Sequence, residues 1–333
     1  MNRTGTTIGI IAVIILAVSG AWYILENPGP AIAPEPVTIS IAPTDSSALF
    51  YIAEDQHFFS DNHLAVTLRE YNPPAAGVAA MLDGDIDLAG TSEYPVVSQA
   101  FRERNFSILT RYVGANIVWL IGRKDHGIAN VSDLKGKTIG VARGTITEFN
   151  LGRFLTLHGM NLSEVTLQDV RPDQFEAALE SGKVDALICW QPYADEITGR
   201  MGDNVVAWPA ESGQPLYGIL VARNDWISRH PVTSAEVLKS LDMAAEFTTV
   251  HPEESRAIVQ KKLNLSDAYM QSAWPGNQFS LSLDQSLVVA MEDEARWMIA
   301  NNMTNATEVP DFGDYIYPGT LESVRPGSVN LIR

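Results

Sequence analysis

Short apolar runs that end in small polar residues alternate along this chain with longer segments whose apolar positions recur at helical spacing. The stretch KTIGVARGTIT, 137–147, reads as a buried strand running into a Gly-Thr turn, and VTISIAPTDSS, 37–47, spells nearly the same strand and turn. The likeness continues: VTLREYNPPAAGVAAMLDGDIDLAG, from Val66, lines up with VTLQDVRPDQFEAALESGKVDALIC, from Val165, once one residue is gapped. Each unit reads strand, helix, strand, helix, strand. In the first unit the pattern predicts strands at 37–41, 66–68 and 86–89 and helices at 48–57 and 75–82. Strands alternating with helices imply a parallel sheet. A repeat of about 100 residues is domain-sized, not solenoid-sized, so the chain is expected to build a pair of similar α/β lobes.

Two further apolar runs, NIVWLIGRKDHG at 116–127 and LYGILVARNDWI at 216–227, each end in a basic-acidic turn and flank the second unit. They are expected to be paired crossovers, with the chain leaving the first lobe near Arg123 and returning near Val221. That division assigns 37–122 to the first lobe, 123–220 to the second, and 221–333 to the completion of the first. Helices are predicted to open near Thr233 and Ser234, after His251-Pro252, and over about 284–301, each with a cap or a proline in its first turn.

The opening of the chain has another rhythm. Residues 8–25 carry no charge, about 18 residues that at about 1.5 Å each just span a slightly thinned bilayer. Arg3 precedes the run and Trp22 and Tyr23 close it, so 1–26 is expected to be a transmembrane anchor with everything after Glu26 outside the cytoplasm. Ala17-Val18-Ser19 also offers a small-x-small cleavage site, which makes a cleaved signal peptide the rival reading; the run is longer than a usual signal core, and that favours the anchor. Residues 27–36, NPGPAIAPEP, read as a semi-extended Pro-rich spacer.

Composition narrows the partners. With 40 acidic against 23 basic side chains the net charge is −17, which disfavours nucleic acid and anionic lipid headgroups, although a solvated acidic coat explains the charge as well. The single cysteine, Cys189, excludes an intrachain disulfide. There is no His-Glu-x-x-His, Cys-x-x-Cys or Gly-x-Ser-x-Gly, so the signatures of catalytic metal and activated serine are missing. His57 and His63 read as solvent-side histidines near a helix end, and the sequons at Asn105, Asn130, Asn161, Asn264, Asn302 and Asn305 fit an exported surface.

In open α/β sheets ligands bind beyond the carboxyl ends of strands, where loops lead into helix N-termini with unpaired N–H donors. The first lobe offers Thr44-Asp45-Ser46-Ser47 and Thr91-Ser92-Glu93-Tyr94; the second offers Gly144-Thr145-Ile146-Thr147 and Cys189-Trp190-Gln191-Pro192. Two lobes presenting such loops can close on one small ligand from opposite sides. Ser46, Ser92 and Thr147 also read as plain helix caps, Trp190 as core and Cys189 as a buried, inert thiol. Asp87 and Asp185 hold equivalent places in the repeat and are expected to orient backbone within each lobe, while Arg143 is the only basic residue in or beside the four loops.

Five segments in this order, YIAEDQHFF, MLDGDIDLAG, VSDLKGKTIGVARGT, LESGKVDALICWQPY and DFGDYIYPGTLESVRPGSV, resemble the nitrate, taurine and alkanesulfonate-type solute-binding proteins of ABC importers. The resemblance implies an α/β, two-lobed periplasmic-binding-protein fold of type II, each lobe a mixed, mostly parallel sheet flanked by helices. It implies no catalysis and no cofactor; the partners would be a small-molecule ligand, an ABC permease and its ATPase, on the extracytoplasmic face of the cell membrane. It places ligand contacts on Ser46, Ser92 and Glu93 in the first lobe and on Gly144, Thr145, Thr147 and Trp190 in the second. Their loop neighbours Ser47, Thr91 and Gln191 complete the candidate set. Gln191 stands where the family commonly has an acid, which weakens the case for an amine-bearing ligand anchored there. The ligand class is a small organic or inorganic anion or a zwitterion, with zwitterion or organosulfonate first. Two other readings share the pattern: an exported sensor subunit, and an enzyme of the thiamine-pyrimidine synthase or chorismate-dehydratase kind, against which the exported N-terminus counts.

Overall fold

The repeated strand-helix rhythm becomes two separate sheets in the computed structural model, which describes residues 33–332 apart from Ser212. The anchor expected at 1–26 and most of the spacer at 27–36 lie outside the described residues. Among those described, no helix is long and apolar enough to cross a membrane.

The strands are β1 (Glu35–Ile41), β2 (Leu64–Glu70), β3 (Leu88–Ser92), β4 (Phe106–Ala115), β5 (Val118–Arg123), β6 (Thr138–Val141), β7 (Thr166–Asp169), β8 (Ala186–Trp190), β9 (Val205–Pro209), β10 (Leu216–Arg223), β11 (Asn277–Asp284) and β12 (Val329–Asn330). The first sheet has the order β12-β11-β4-β10-β3-β1-β2 and the second β7-β6-β8-β5-β9. β1 pairs in parallel with β2 and β3, as β6 does with β7 and β8. The helices that shape the cleft are α1 (Ala48–Asp55), α2 (Ala75–Asp83), α3 (Glu93–Ala100), α4 (Ile146–Leu157), α5 (Phe175–Glu180) and α6 (Tyr193–Met201). The C-terminal third adds α7 (Pro231–Val250), α8 (Pro252–Leu263) and α9 (Gln285–Ala300), close to the starts read from the caps. Ile39, Leu88 and Val221 are buried in the first sheet and Ile139, Ile188 and Leu120 in the second.

The two apolar runs expected as crossovers are strands inside the sheets. β5 pairs antiparallel with β8 and β9, and β10 pairs antiparallel with β3 and β4. The chain therefore passes between sheets at 116–117 and 210–215, ahead of Arg123 and Val221. A strand buried on both faces is a continuous apolar run, and nothing in its period marks which sheet it joins. The crossings lie side by side: Ala210 N–H donates to the Val118 carbonyl at 2.9 Å, and Val118 N–H donates to the carboxylate of buried Glu211. Burial raises the pKa of Glu211, opposed by that backbone N–H.

The internal repeat extends to single hydrogen bonds. Thr38 N–H donates to Asp87 Oδ2 at 2.8 Å, and Thr138 N–H donates to Asp185 Oδ2 at 2.8 Å, so each aspartate fixes the first strand of its repeat unit to the loop before the unit's third. The basic-acidic turns repeat too. Arg223 Nη1 donates to the Met81 carbonyl at the end of α2 (2.6 Å), and Arg123 Nη1 to the Leu179 and Glu180 carbonyls at the end of α5 (2.7 Å each). Each arginine is held by the aspartate two residues on, Asp225 at 3.2 Å and Asp125 at 2.6 Å. A cation at a helix carboxyl end satisfies orphan carbonyls and opposes the helix dipole favourably.

Asp87→Ala leaves both the Thr38 N–H and its hydroxyl, which also donates to Asp87 at 2.7 Å, without their acceptor. The expected loss of stability is roughly 1–3 kcal/mol, measured by urea unfolding with an unchanged slope.

Candidate functional site

The carboxyl ends of β1, β3, β6 and β8 border a cleft of about 530 Å³, open solvent at its mouth included. Ser46, Thr91, Ser92, Thr145 and Trp190 line it, so all four loops singled out in the sequence meet there. Thr91 is buried with no hydrogen-bond partner for its hydroxyl, a polar group available to a ligand. Ser92 and Thr145 occupy the N-cap positions of α3 and α4 in extended backbone, and neither side chain makes a capping bond. Thr145 instead donates to the Ala142 carbonyl at 2.8 Å, and Ser46 pairs with the Thr44 hydroxyl at 2.6 Å.

The other candidates are turned into their loops. Ser47 Oγ donates to the Ala42 carbonyl at 2.7 Å, and Thr147 Oγ1 donates to the Ala142 carbonyl at 3.4 Å, the same role in each half. Gly144, at φ 71°, donates its N–H to Glu148 Oε2 at 3.0 Å. Gln191 accepts the Asp195 N–H at 3.1 Å and donates its own N–H to the Ile117 carbonyl at 2.9 Å. Glu93 is fully buried behind the wall, where Tyr217 N–H donates to both of its oxygens. Arg143 does not line the cleft; its Nη1 donates to Glu148 Oε1 at 2.6 Å. Every described residue that lines the cleft is uncharged.

Tyr112, Ile117, Leu216 and Gly218 complete the apolar wall and were missed because they come from β4, β10 and the first crossing, not from strand-end loops. Gly218 makes room for the wall: a Cβ there would lie 2.4 Å from Val113 Cγ1 and 2.8 Å from the Tyr112 ring. The signal available in the sequence was the Tyr-Gly pair inside 216–227, read as a crossover. Trp190 is held edge-on by Phe175 and Tyr193, with ring centroids at 5.5 and 6.2 Å. Beneath the first loop, buried Asp45 accepts the Tyr269 hydroxyl (2.9 Å) and Asn277 Nδ2 (2.7 Å); burial raises its pKa and these bonds oppose the shift.

The halves touch around the cleft. Asn72 Nδ2 donates to the Tyr193 hydroxyl at 2.6 Å. Trp297 of α9 meets Phe149 of α4 edge-to-face at 5.8 Å, beside Tyr94 at 6.4 Å. Chemically the cleft offers hydroxyls, helix-start N–H groups and an aromatic face. Its one thiol neighbour, Cys189, is buried, and burial pushes its pKa up, away from a reactive thiolate. Among the described residues no group of three or more His, Cys, Asp or Glu side chains is placed to hold a metal ion.

Comparison with known proteins gives the arrangement a context. A family model described as NMT1/THI5 like matches residues 45–255. A protein of Brucella abortus (strain 2308) named as a binding protein is 27% identical over 183 residues, 48% of this chain and 57% of its own length. The chain thus spans somewhat more than half the length of that curated relative. The alkanesulfonate-binding protein SsuA of Xanthomonas axonopodis pv. citri, bound to MOPS, superposes with a TM-score of 0.74 at 18% identity, over 86% of this chain and 100% of that one. The desulfurization enzyme DSZB superposes with a TM-score of 0.60 at 17% identity, over 87% and 98%. Both likenesses establish the two-sheet α/β fold of periplasmic binding proteins.

Gly152 of α4 lies under Trp297, and a Cβ added there would meet the indole ring at 2.6 to 2.8 Å. Gly152→Ala should favour the helix by roughly 1 kcal/mol yet push the halves apart. The expected result in small-angle scattering is a larger radius of gyration than wild type; an unchanged curve would mean that Trp297 yields instead.

Proposed function

The chain belongs to the NMT1/THI5-like family, and from that premise we propose that it is the extracytoplasmic solute-binding component of an ABC importer. It captures a small organic anion of the sulfonate kind between two closing lobes and delivers it to a permease served by its ATPase. Each sheet with its helices acts as a lobe, the crossings at 116–117 and 210–215 act as the hinge, and residues 1–26 hold the protein at the outer face of the cell membrane unless they are cleaved.

The observation that carries this reading is the division of the cleft. Ser46, Thr91 and Ser92 come from one sheet and Thr145 and Trp190 from the other, so only the closed arrangement serves a ligand with all of them. The start of α4 supplies partial positive charge and N–H groups suited to sulfonate oxygens. An ammonium finds no carboxylate on the wall, because Glu93 is buried behind it and Gln191 is neutral, which favours an organic anion over a zwitterion. The fold is shared with an enzyme, but the only cysteine is buried with a raised thiol pKa, and binding is the better supported output.

A thermal-shift screen against alkanesulfonates, taurine, nitrate and bicarbonate tests the proposal. A true ligand at 100 times its Kd should add roughly 2.7 kcal/mol of stability, with alkanesulfonates above nitrate and taurine. By calorimetry, Thr145→Ala should weaken that binding by roughly 0.5–1.5 kcal/mol, and Trp190→Ala should also weaken it while the fold persists. No response to any compound, or turnover of one, would overturn the reading.

A further inference from the structure

Two carboxylic acids with no cation beside them lie behind the cleft wall. Glu93, the first residue of α3, and Glu294, midway along α9, are both 0% exposed. Tyr217 N–H donates to the two oxygens of Glu93 at 3.1 Å each, and Tyr217 stands between Leu216 and Gly218, which line the cleft. Ser92, on the other side of Glu93, lines it as well. Neither oxygen of Glu294 receives an N–H or hydroxyl donor; its side chain meets the Glu93 carboxyl. Two carboxylates cannot hydrogen-bond each other, whereas an acid and a carboxylate can, so this contact needs a proton.

The surroundings offer no substitute for that proton. Tyr112 of β4 faces Glu93, and Asp293 adds negative charge beside Glu294. On α4, Glu148 is paired at 2.6 Å with Arg143 of the preceding loop and both act on Tyr94, while Arg153 is held by Gln214 at 2.8 Å. At the start of α9 Asp284 lies 3.4 Å from Arg111, and Asp314, on the turn Phe312–Tyr315 packed against α9, is exposed.

We propose that Glu93 and Glu294 share a proton and that this proton positions the wall of the cleft, pinning the start of α3, β10 at Tyr217 and α9 to one another. Neither residue touches ligand; both are positioning residues. Three residues beyond Glu294, Trp297 forms the platform on which α4 of the other half rests, so the pair sets both the wall and the surface that closure meets. Burial pushes the Glu93 carboxyl up to about 8 and that of Glu294 well above its usual range. The unfolded chain ionises near 4.5, so the stabilisation is fully present below that value and is lost as pH rises through about 8. Above it Glu93 is charged and accepts the proton that Glu294 keeps; only when that proton too is lost do two buried charges repel and the wall loosen. The consequence for binding rests on the solute-binding function proposed above; the pairing itself does not.

The full chain, as wild type, Glu294→Gln and Glu93→Gln, is examined first without ligand. The thermal midpoint of wild type should fall as pH rises from about 4.5 through about 8 and go on falling as Glu294 loses its proton, whereas that of Glu294→Gln, in which Glu93 alone of the pair titrates, should level off above about 8; wild type should also show more protonated-carboxyl infrared absorption at neutral pH than Glu294→Gln. Its amide can still donate to Glu93 but cannot titrate. If the variants do not fold, the pH titration of the wild-type carboxyl band decides alone. With 1-butanesulfonate as the probe, wild-type affinity should drop by up to about tenfold per pH unit in the alkaline range where Glu294 loses its proton, and that of Glu294→Gln should stay level there. Matching pH profiles in wild type and Glu294→Gln, or no protonated-carboxyl band in wild type, overturns the proposal. A carboxyl band and a variant-dependent midpoint with no sulfonate binding at any pH would support the pair and count against the ligand class instead.

Discussion

Two short segments, 116–117 and 210–215, join the two sheets, and the cleft depends on how they are held. They run side by side because the buried carboxylate of Glu211, in the second crossing, accepts the N–H of Val118 just after the first. A parallel sheet collects its ligand-facing loops at the carboxyl ends of its strands. With the crossings bound together, the loop ends of one sheet are directed at those of the other. The cleft is the space left between them, and a change in the torsions of a few residues alters its width without disturbing either core.

Within that frame the chain spends its charged groups on holding loops and helices, and keeps them off the cleft wall. Arg123 and Arg223 cover helix carboxyl ends, Asp87 and Asp185 fix strand starts, and Arg143 is held by Glu148. For the capture and release proposed above, an uncharged wall has a physical advantage. A buried, fully paired charge makes a costly partner to break, whereas hydroxyls and helix-start N–H groups give geometry and modest affinity. The apolar surface from Tyr112, Leu216 and Trp190 then favours a ligand with a carbon body over a bare inorganic ion.

The contacts between halves have a different chemistry from those within them. Those that cross include an amide-to-phenol hydrogen bond, Asn72 to Tyr193, and an aromatic contact, Trp297 on Phe149 above Gly152. In the lobe closure proposed above, such contacts would hold the closed arrangement and still be few enough for a bridging ligand to decide, since a ligand shifts an equilibrium only by its differential affinity for the two states.

The repeat made the two-sheet plan, the order of strands and helices, and the four strand-end loops legible, because strand period, caps and turn glycines are local properties. The paired roles of Asp87 and Asp185 followed from the same alignment. Tertiary structure alone decided the rest. Val118–Arg123 and Leu216–Arg223 are apolar throughout, and only pairing with β8 and β9, or with β3 and β4, settles the sheet each belongs to. Ser46 and Ser47 are adjacent and chemically alike, yet one lines the cleft and the other donates to Ala42; that choice lies in backbone torsions set by the packed loop. Glu93 reads as a binding residue beside Ser92, but its carboxyl turns inward because its partners, Tyr217 and Glu294, lie far away in sequence and arrive only when β10 and α9 pack behind the first lobe's loops. Sequence determines which groups stand at the strand ends; which way each side chain points is decided by groups that only the fold brings to it.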